Sequence, residues 1–369
     1  MSEHPAGGHP ADADTGNADT GKADTGNADT AGAARRQGRA VPVPVTRARR
    51  ARVTARRRAR SLAFLVRTLR DRDRPALAHL VVTRRCNLAC TYCNEYDHTS
   101  RPVPADRLTD RVDELGRLGT MAVALSGGEP LLHPRLAHVV ARIADRGMMA
   151  GLITNGYLLS PRRIAALNAA RLDFLQISID NTTPDAVSAK SLDVLDRRLR
   201  WLAEYAEFDV TVNSVIGGGV QRATDALAVT ERAEELGFST TLGVIHGPQG
   251  TLLPLTPEER DVYTRIAHRG GRLLPFLRNV YTGVGRFQDN LAAGRPNTWQ
   301  CRAGARYLYV DETGAVHRCS QTRTGPGTPL AQYTVHHIRE EFTTPKACAP
   351  FCTVGCVHRV ARLDSWRSA

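Results

Sequence analysis

Residues 83–93 read Thr-Arg-Arg-Cys-Asn-Leu-Ala-Cys-Thr-Tyr-Cys and complete a short apolar run, Ala78–Thr83. The thiols of Cys86, Cys90 and Cys93 are therefore spaced C-x3-C-x2-C in one loop, and the next cysteine is more than two hundred residues away. A structural zinc site usually takes four ligands in two separated pairs. Three thiolates can instead hold three irons of a 4Fe–4S cluster and leave the fourth iron open to an outside ligand. The loop predicts an open iron–sulfur cluster, with three buried or zinc-binding cysteines as the alternative.

Strand-like and helix-like segments alternate along the chain from this loop onward. The predicted strands are Ala78–Thr83, Met121–Ser126, Met149–Thr154, Phe174–Asp180, Asp209–Ile216 and Thr240–His246. The predicted helices are Asp106–Leu118, Pro134–Arg146, Pro161–Ala170, Leu192–Ala206 and Arg222–Leu236. This alternation predicts an α/β fold whose parallel sheet curls into a partial (β/α)6 TIM-like barrel. The active site of such a barrel lies at the carboxyl ends of its strands.

Glycines and small polar residues occupy those strand ends. The second strand ends in Ser-Gly-Gly-Glu-Pro at residues 126–130, where two glycines let a ligand approach the backbone closely. The fourth strand ends with Ser178 and Asp180, and the fifth carries Asn213. Small polar side chains at successive strand ends suit a polar ligand across the barrel mouth. The same residue types also form ordinary turns, which is the alternative.

The cysteine loop resembles the signature of the radical S-adenosylmethionine (SAM) superfamily, including the aromatic Tyr92 before the third cysteine. The resemblance covers residues 78–246, and its motifs follow the family's order. It implies that the amino and carboxylate groups of SAM chelate the open iron, and that an electron from the cluster releases a 5′-deoxyadenosyl radical. It also implies contacts to the cofactor's adenine, amino group, ribose and carboxylate. The residues concerned are Tyr92, Gly127, Gly128, Glu129, Ser178, Asp180 and Asn213.

Five further cysteines lie near the C-terminus, around two strand-like runs that predict a β-hairpin. The G-x4-C spacing from Gly314 to Cys319 is similar to the SPASM/twitch extensions of radical SAM enzymes, which hold auxiliary 4Fe–4S clusters. The resemblance implies one auxiliary cluster ligated by four of the five cysteines. These are Cys301, Cys319, Cys348, Cys352 and Cys356. A structural zinc site is an alternative, and the fifth cysteine is also a candidate hydrogen-atom donor to a substrate radical.

The net charge of +13 is concentrated in one segment. Thirteen arginines, with no lysine or acid, lie between Arg35 and Arg70, whereas residues 1–34 hold six acids and one lysine. The short near-repeat in residues 1–34 predicts a disordered tail. Residues 35–75 predict an arginine-rich segment with an amphipathic helix, either docked on the next domain or bound to an anionic membrane or nucleic acid. The remainder of the chain is far less basic, so a nucleic-acid substrate is not inferred.

Three domains or connections are predicted after this segment. Residues 76–250 form the radical SAM core, residues 251–296 a helical connection, and residues 297–369 a twitch-like auxiliary-cluster domain. We expect a cytoplasmic protein, either free or peripheral at the inner membrane face, because the sequence shows neither a signal-peptide pattern nor an apolar run long enough to cross a bilayer. The family implies an electron donor such as flavodoxin or ferredoxin.

The predicted function is a radical SAM enzyme that abstracts hydrogen from a substrate, with dehydrogenation, crosslinking or epimerisation as the outcome. An oxidoreductase or an epimerase is favoured. The substrate is a small molecule, a lipid or a peptide. A ribosomal peptide is less favoured, because peptide-modifying relatives often carry a leader-binding domain and nothing before residue 75 is expected to fold into one. The alternative is a non-catalytic iron–sulfur or zinc protein that docks on a membrane or nucleic acid through its arginine-rich arm.

Overall fold

A computed structural model of the chain describes residues 42–218, 222–247, 252–269 and 285–365. The predictions for the tail at residues 1–34, and for residues 35–41 of the arginine-rich segment, lie outside these residues. The described strands form one mixed sheet in the order β6-β5-β4-β3-β2-β1-β7-β8-β9.

Helix α1, Arg47–Arg70, precedes six parallel strands, and each of these strands pairs with the next along the chain. Strands β1 to β6 are Leu77–Thr83, Ala122–Gly127, Met149–Thr154, Phe174–Ser178, Asp209–Ile216 and Ser239–Val244. Helices α2 to α6 connect them and are Ala105–Arg117, Leu136–Asp145, Pro161–Ala169, Leu192–Tyr205 and Thr224–Glu235. The predicted partial (β/α)6 barrel is confirmed, and the carboxyl ends of β1 to β6 share one edge.

The connecting helices bury one apolar face against the sheet. In α3, Leu136, Val139, Val140 and Ile143 recur at helical spacing, and all four are buried. Each such side chain stabilises the fold by roughly 1.5–3 kcal/mol through burial. Local signals fix the helix starts: the Ser160 hydroxyl accepts a hydrogen bond from the Arg163 amide at the beginning of α4.

A C-terminal hairpin extends the barrel sheet beyond β1. Strand β7, Tyr307–Val310, runs parallel to β1, and β8, Ala315–His317, returns antiparallel to it. The hairpin itself was predicted from the sequence, but its pairing with β1 was not. A short strand β9 and four further helices complete the described residues. They are β9 Thr328–Pro329, α7 Pro257–His268, α8 Gly285–Ala292, α9 Val335–Thr343 and α10 Gly355–Arg362.

Helix α1 docks on the amino-terminal end of the barrel. Its Arg60 forms an ion pair of 2.7 Å with Asp173, and its Thr68 is fully buried. This contact agrees with the docked alternative for the arginine-rich segment. Within the described residues, no helix is long and apolar enough to cross a membrane.

A buried ion pair connects the start of β7 with a residue near the C-terminus and with the end of helix α1. Arg306, which directly precedes β7, pairs with Asp364 at 2.8 Å, and neither side chain is exposed. The same guanidinium donates to the Thr68 carbonyl oxygen at 2.7 Å and to the Asp71 carbonyl oxygen at 2.8 Å. Because a buried charge is tolerated only when paired and hydrogen-bonded, these contacts form one interdependent unit.

Candidate active site

The three-cysteine loop leaves the carboxyl end of β1 and closes on itself. The Asp97 amide donates to the Arg84 carbonyl oxygen at 2.9 Å, and the Cys86 amide donates to the Asp97 carbonyl oxygen at 2.9 Å. Cys90 is buried, and the other two cysteines are partly exposed. Burial raises the pKa of the Cys86 and Cys93 thiols, and neighbouring thiols of the loop raise it further. The structure therefore brings the three predicted cluster ligands together at the barrel mouth.

The number of thiols in this loop suits a cluster of several metal atoms. In the part of the chain that the structure describes, no three His, Cys, Asp or Glu side chains converge closely enough to bind one metal ion. A 4Fe–4S cluster does not require such convergence, because each thiolate binds a different iron. The donor set of the loop, three thiols and no fourth cysteine nearby, fits a cluster with one open iron.

The glycine-glycine-glutamate turn packs directly against the base of this loop. The Gly128 amide donates to the Thr83 carbonyl oxygen at 2.8 Å. A Cβ atom on Gly127 would lie 2.0 Å from the Thr83 carbonyl oxygen, and one on Gly128 would lie 2.3 Å from the Arg84 carbonyl oxygen. Contact between the two loops thus requires both glycines. Their contact with a ligand stays a prediction.

Glu129 joins the ends of β2 and β3. Its fully buried carboxylate accepts hydrogen bonds from the Leu131 amide at 2.9 Å, the Thr154 hydroxyl at 2.7 Å and the Asn155 amide at 2.7 Å. Burial raises the pKa of this carboxyl group, and the three hydrogen bonds lower it. Glu129 therefore organises the strand ends, and its role as charge partner of the cofactor's amino group stays a prediction.

Asp180 is the centre of a buried polar network behind the cysteine loop. Its Oδ2 atom accepts hydrogen bonds from the Tyr92 hydroxyl at 2.5 Å and the Ser188 hydroxyl at 2.7 Å, and it pairs with the Lys190 ammonium at 2.9 Å. The Ser188 hydroxyl also lies 3.4 Å from the Cys90 sulfur. Two predicted cofactor contacts, Tyr92 and Asp180, are thus linked to each other and to a cluster cysteine.

Lys190 was missed by the sequence analysis. It contacts the Tyr92 hydroxyl and lies 4.9 Å from the centre of the Tyr92 ring. Burial lowers its pKa, but Asp180 and Tyr92 raise it more, so the pKa lies well above the usual value. The available signal was compositional: Lys190 is one of only three lysines in a chain with 50 basic residues.

The remaining predicted contacts lie on neighbouring strands. Ser178 on β4 is in register with Asn213 on β5, whose side-chain oxygen accepts a hydrogen bond from the Thr241 hydroxyl at 2.8 Å. Asn155, which had no predicted role, places its side-chain nitrogen 3.7 Å from the Cys86 sulfur. The roles of Ser178 and Asn213 in cofactor binding stay predictions.

Three buried oxygen atoms at these strand ends lack a hydrogen-bond partner among the described residues. They are the Ser126 hydroxyl at the end of β2, and the second carboxylate oxygen of Asp180 and the side-chain oxygen of Asn181 after β4. Buried polar atoms without partners are rare in folded proteins, because each one costs the free energy of its lost hydration. A ligand with amino, carboxylate and hydroxyl groups, such as SAM, fits this environment.

Four of the five C-terminal cysteines form a second group of thiols. Burial raises the pKa of Cys352, and the Cys301, Cys319 and Cys348 thiols raise it further. Burial likewise raises the pKa of Cys301 to about 11, with added contributions from Cys319 and Cys348. These mutual effects indicate that the four sulfurs lie close to one another.

Cys356 has a different environment from those four cysteines. Burial raises its pKa to about 11, whereas a hydrogen bond with the Tyr307 side chain and the charge of Arg359 lower it. The Cys319 thiol is among the groups that raise it, and Cys356 packs against the apolar cluster that contains Cys301 and Cys319. Cys356 therefore differs from the other four cysteines in its contact with Tyr307.

The inner face of β7 connects the two groups of cysteines. Tyr307 contacts Cys356 and packs edge-to-face on His79 of β1, with ring centroids 5.0 Å apart. Tyr309, on the same face of the strand, forms a hydrogen bond with Glu95, two residues after Cys93. Alternate residues of a strand are about 7 Å apart, so neighbouring side chains of one strand reach both groups.

Residues 80–251 match the sequence profile of the Radical SAM superfamily. The match includes the cysteine loop, the glycine-glycine-glutamate turn and the polar strand ends described above. Residues 80–251 belong to the radical SAM superfamily. A radical SAM domain uses a 4Fe–4S cluster and SAM, so the predicted cofactors of the three-cysteine loop are confirmed.

Two kinds of cyclase are among the relatives to which this chain is similar in sequence. A PqqA peptide cyclase from Methylocella silvestris is 29% identical over 279 residues, covering 70% of this chain and 71% of the relative. A GTP 3′,8-cyclase from Streptomyces coelicolor is 40% identical over 177 residues, covering 42% of this chain and 50% of the relative. The longer alignment is with the peptide cyclase.

Two solved structures of Streptococcus suis SuiB share the fold. Streptococcus suis SuiB bound to the precursor peptide SuiA superposes with a TM-score of 0.53 at 12% identity, over 74% of this chain and 66% of that chain. SuiB bound to SAM superposes with a TM-score of 0.54, also at 12% identity, over 76% of this chain and 68% of that chain. At this identity the similarity establishes the fold alone.

Proposed function

We propose that this radical SAM enzyme forms a crosslink within a peptide substrate, with an auxiliary 4Fe–4S cluster as the electron acceptor. The observation that carries the proposal is the position of β7, whose inner face reaches both groups of cysteines through Tyr307 and Tyr309. An oxidation needs a second redox group close to the first, and this strand provides the short connection.

The comparisons support a peptide as the substrate class. The alignment with the PqqA peptide cyclase covers 71% of that protein, and SuiB, which has the same fold, binds a precursor peptide. The sequence analysis disfavoured a ribosomal peptide because no leader-binding domain was expected before residue 75. The comparisons now favour a peptide, and a crosslinking reaction over epimerisation.

The proposed ligands of the auxiliary cluster are the four mutually close thiols. Cys301, Cys319 and Cys352 are buried and Cys348 is exposed, so the iron–sulfur cluster would lie at the edge of the apolar cluster that contains Cys301, Cys319, Tyr307 and Tyr309. Cys356 would remain a free thiol held by Tyr307. This assignment is supported by the environment of each sulfur, and iron analysis can test it.

The proposed reaction removes two hydrogens from the peptide and forms one bond. SAM and its cluster, when bound, would supply the acceptor of one hydrogen atom, and the auxiliary cluster would supply the acceptor of one electron, so that the second hydrogen would leave as a proton. Burial raises the pKa of Glu95, which forms a hydrogen bond with Tyr309, and this carboxylate is our candidate for the group that accepts the proton.

The test combines iron content with product analysis under oxygen-free conditions. Reconstituted enzyme should hold about eight irons and form 5′-deoxyadenosine from SAM and a strong reductant. Peptides encoded beside its gene should lose two hydrogens in mass spectra, whereas GTP should remain unchanged. Conversion of GTP without modification of any peptide would favour the nucleotide-cyclase alternative and refute the proposal.

Matched cysteine variants test the auxiliary cluster. C352A should hold about four irons, still cleave SAM, and no longer crosslink the peptide. C356A should keep about eight irons, because its sulfur is outside the proposed ligand set. The triple variant C86A/C90A/C93A should lose SAM cleavage altogether. Crosslinking by C352A, or loss of four irons from C356A, would contradict the ligand assignment.

A further inference from the structure

A recess separates α1 from the end of the barrel opposite the cysteine loop. Its volume is about 680 Å³, within the range of ligand-binding pockets. Met121 and Met149, which stand at the amino ends of β2 and β3, line it. The recess therefore lies about one strand length from the cofactor site.

The recess is strongly basic. Five arginines and a single acid, Asp71, are among its lining residues. The arginines are Arg60, Arg67, Arg70, Arg74 and Arg146. Three of them form ion pairs with aspartates. The guanidinium groups of Arg67 and Arg70 have no ion-pair or hydrogen-bond partner within the described ranges. Two exposed cations thus stand at the recess without a protein counter-ion.

A buried polar atom and an apolar floor complete the recess. Thr120 lines it and is only 4% exposed, and its hydroxyl has no hydrogen-bond partner among the described residues. Phe64 of α1 and Met121 supply apolar surface beside it. A ligand that carries both carboxylates and an apolar group would pair with the two arginines, accept a hydrogen bond from the hydroxyl and cover the apolar surface.

We propose that this recess binds an acidic segment of the peptide substrate; this inference rests on the proposed function. Carboxylates spaced along an extended chain complement arginines spaced along one side of α1. A membrane surface also carries negative charge, but it is flat and would not enter a concave recess of this volume. The structure therefore favours a peptide segment over a lipid surface.

The location of the recess determines how many residues must separate the acidic segment of the peptide from the residues that react. Strand β2 has six residues, so the recess and the barrel mouth are separated by about 20 Å along the strands. An extended peptide spans about 3.3 Å per residue. At least about six residues must therefore lie between the acidic segment and the residues that react.

Binding of a fluorescein-labelled octaglutamate peptide to the full-length holoenzyme, measured by fluorescence anisotropy, tests the site directly. In R67A/R70A the Kd should rise about tenfold, because two charge-assisted contacts are lost. The matched control R49A/R52A removes two arginines of the same helix that lie outside the recess, and its Kd should change less than about twofold. A63W fills the recess without changing charge and should weaken binding as R67A/R70A does.

Equal weakening by both double variants, or normal binding by A63W, would overturn the proposal, because either result indicates diffuse attraction to basic surface. Thermal midpoints check that each variant folds. Binding of the same variants to vesicles of phosphatidylglycerol and phosphatidylcholine is measured in parallel, to distinguish a membrane surface from a peptide. If R67A/R70A impairs vesicle binding but not octaglutamate binding, the site is a membrane contact and the proposal fails. If octaglutamate binding follows the predicted pattern but no peptide is crosslinked, the proposed binding site in the recess is supported and only the proposed reaction is refuted.

Discussion

Replacing Lys190 by methionine removes the only ammonium group beside the buried carboxylate of Asp180 in the described structure. Asp180 is fully buried and the Lys190 side chain is 12% exposed, so water cannot replace the lost charge. Methionine is close to lysine in length and fills much of the same volume. The substitution therefore tests the charge more than the packing.

The expected loss of folding stability in K190M follows from the contacts of Asp180. Asp180 keeps its hydrogen bonds from Tyr92 and Ser188 but loses an ion pair of 2.9 Å. Removing one partner of a buried pair leaves an uncompensated charge and typically costs about 3–5 kcal/mol. The double variant D180N/K190M removes the carboxylate charge as well. It should recover about 1–3 kcal/mol of that loss, the usual size of coupling between residues in contact.

Urea denaturation of the holoenzyme under oxygen-free conditions measures both effects, and formation of 5′-deoxyadenosine reports on the cysteine loop. K190M should lower both the denaturation midpoint and the rate of SAM cleavage, since Ser188 links Asp180 to Cys90. If K190M costs less than about 1 kcal/mol, or if D180N brings no recovery, the network does not hold the loop as described.

Two further substitutions test the interior. Burial lowers the pKa of His79 to about 4, so its contribution to stability is complete above the unfolded pKa of about 6.5 and is lost as the pH falls towards 4. Between pH 7 and pH 4.5 the free energy of unfolding of the wild type should therefore fall by about 1–3 kcal/mol more than that of H79F. If urea denaturation gives the same pH dependence for both proteins, this prediction is wrong. R306M should destabilise the fold by about 3–5 kcal/mol, because it removes the buried guanidinium that pairs with the Asp364 carboxylate at 2.8 Å. R339M, which breaks an ion pair with Asp73 whose arginine is 66% exposed, should cost less than about 1 kcal/mol, and equal costs would contradict the ranking by burial.

Local sequence patterns were sufficient to predict most elements of the barrel. The bounds of β3, Met149–Thr154, and β5, Asp209–Ile216, agree with the predictions residue for residue, because β-branched runs there end at clear turn signals. Strand β4 ends at Ser178, two residues earlier than predicted. The Asp180 amide bonds to the Lys190 carbonyl oxygen at 2.8 Å, so the chain has already left the sheet there.

The same local patterns could not predict networks of residues that are distant in the sequence. Spacing alone identified Cys86, Cys90 and Cys93, because three thiols so close together in one loop are typical of a shared metal cluster. Nothing local marks Lys190 as the partner of Tyr92, since the two residues are 98 positions apart and meet only when the loops after β1 and β4 fold over one another. The sequence predicted that the two glycines of the glycine-glycine-glutamate motif let a ligand approach the backbone, but it gave no sign that they also pack against the base of the cysteine loop.

The pairing of β7 with β1 is the feature with the greatest consequence for function. Leu77 and Tyr307 are partners in the sheet although 230 positions separate them in the sequence, and no short-range signal specifies such a pair. A hairpin packed elsewhere on the barrel would satisfy the same local pattern. Only the observed pairing directs Tyr307 and Tyr309 into the barrel, where one contacts Cys356 and the other Glu95. Cys301 and Cys319 lie in the same apolar cluster as these two tyrosines and Val81 of β1, and Cys356 packs against it, so the pairing brings part of the C-terminal cysteine group to the strand that leads into the radical SAM loop.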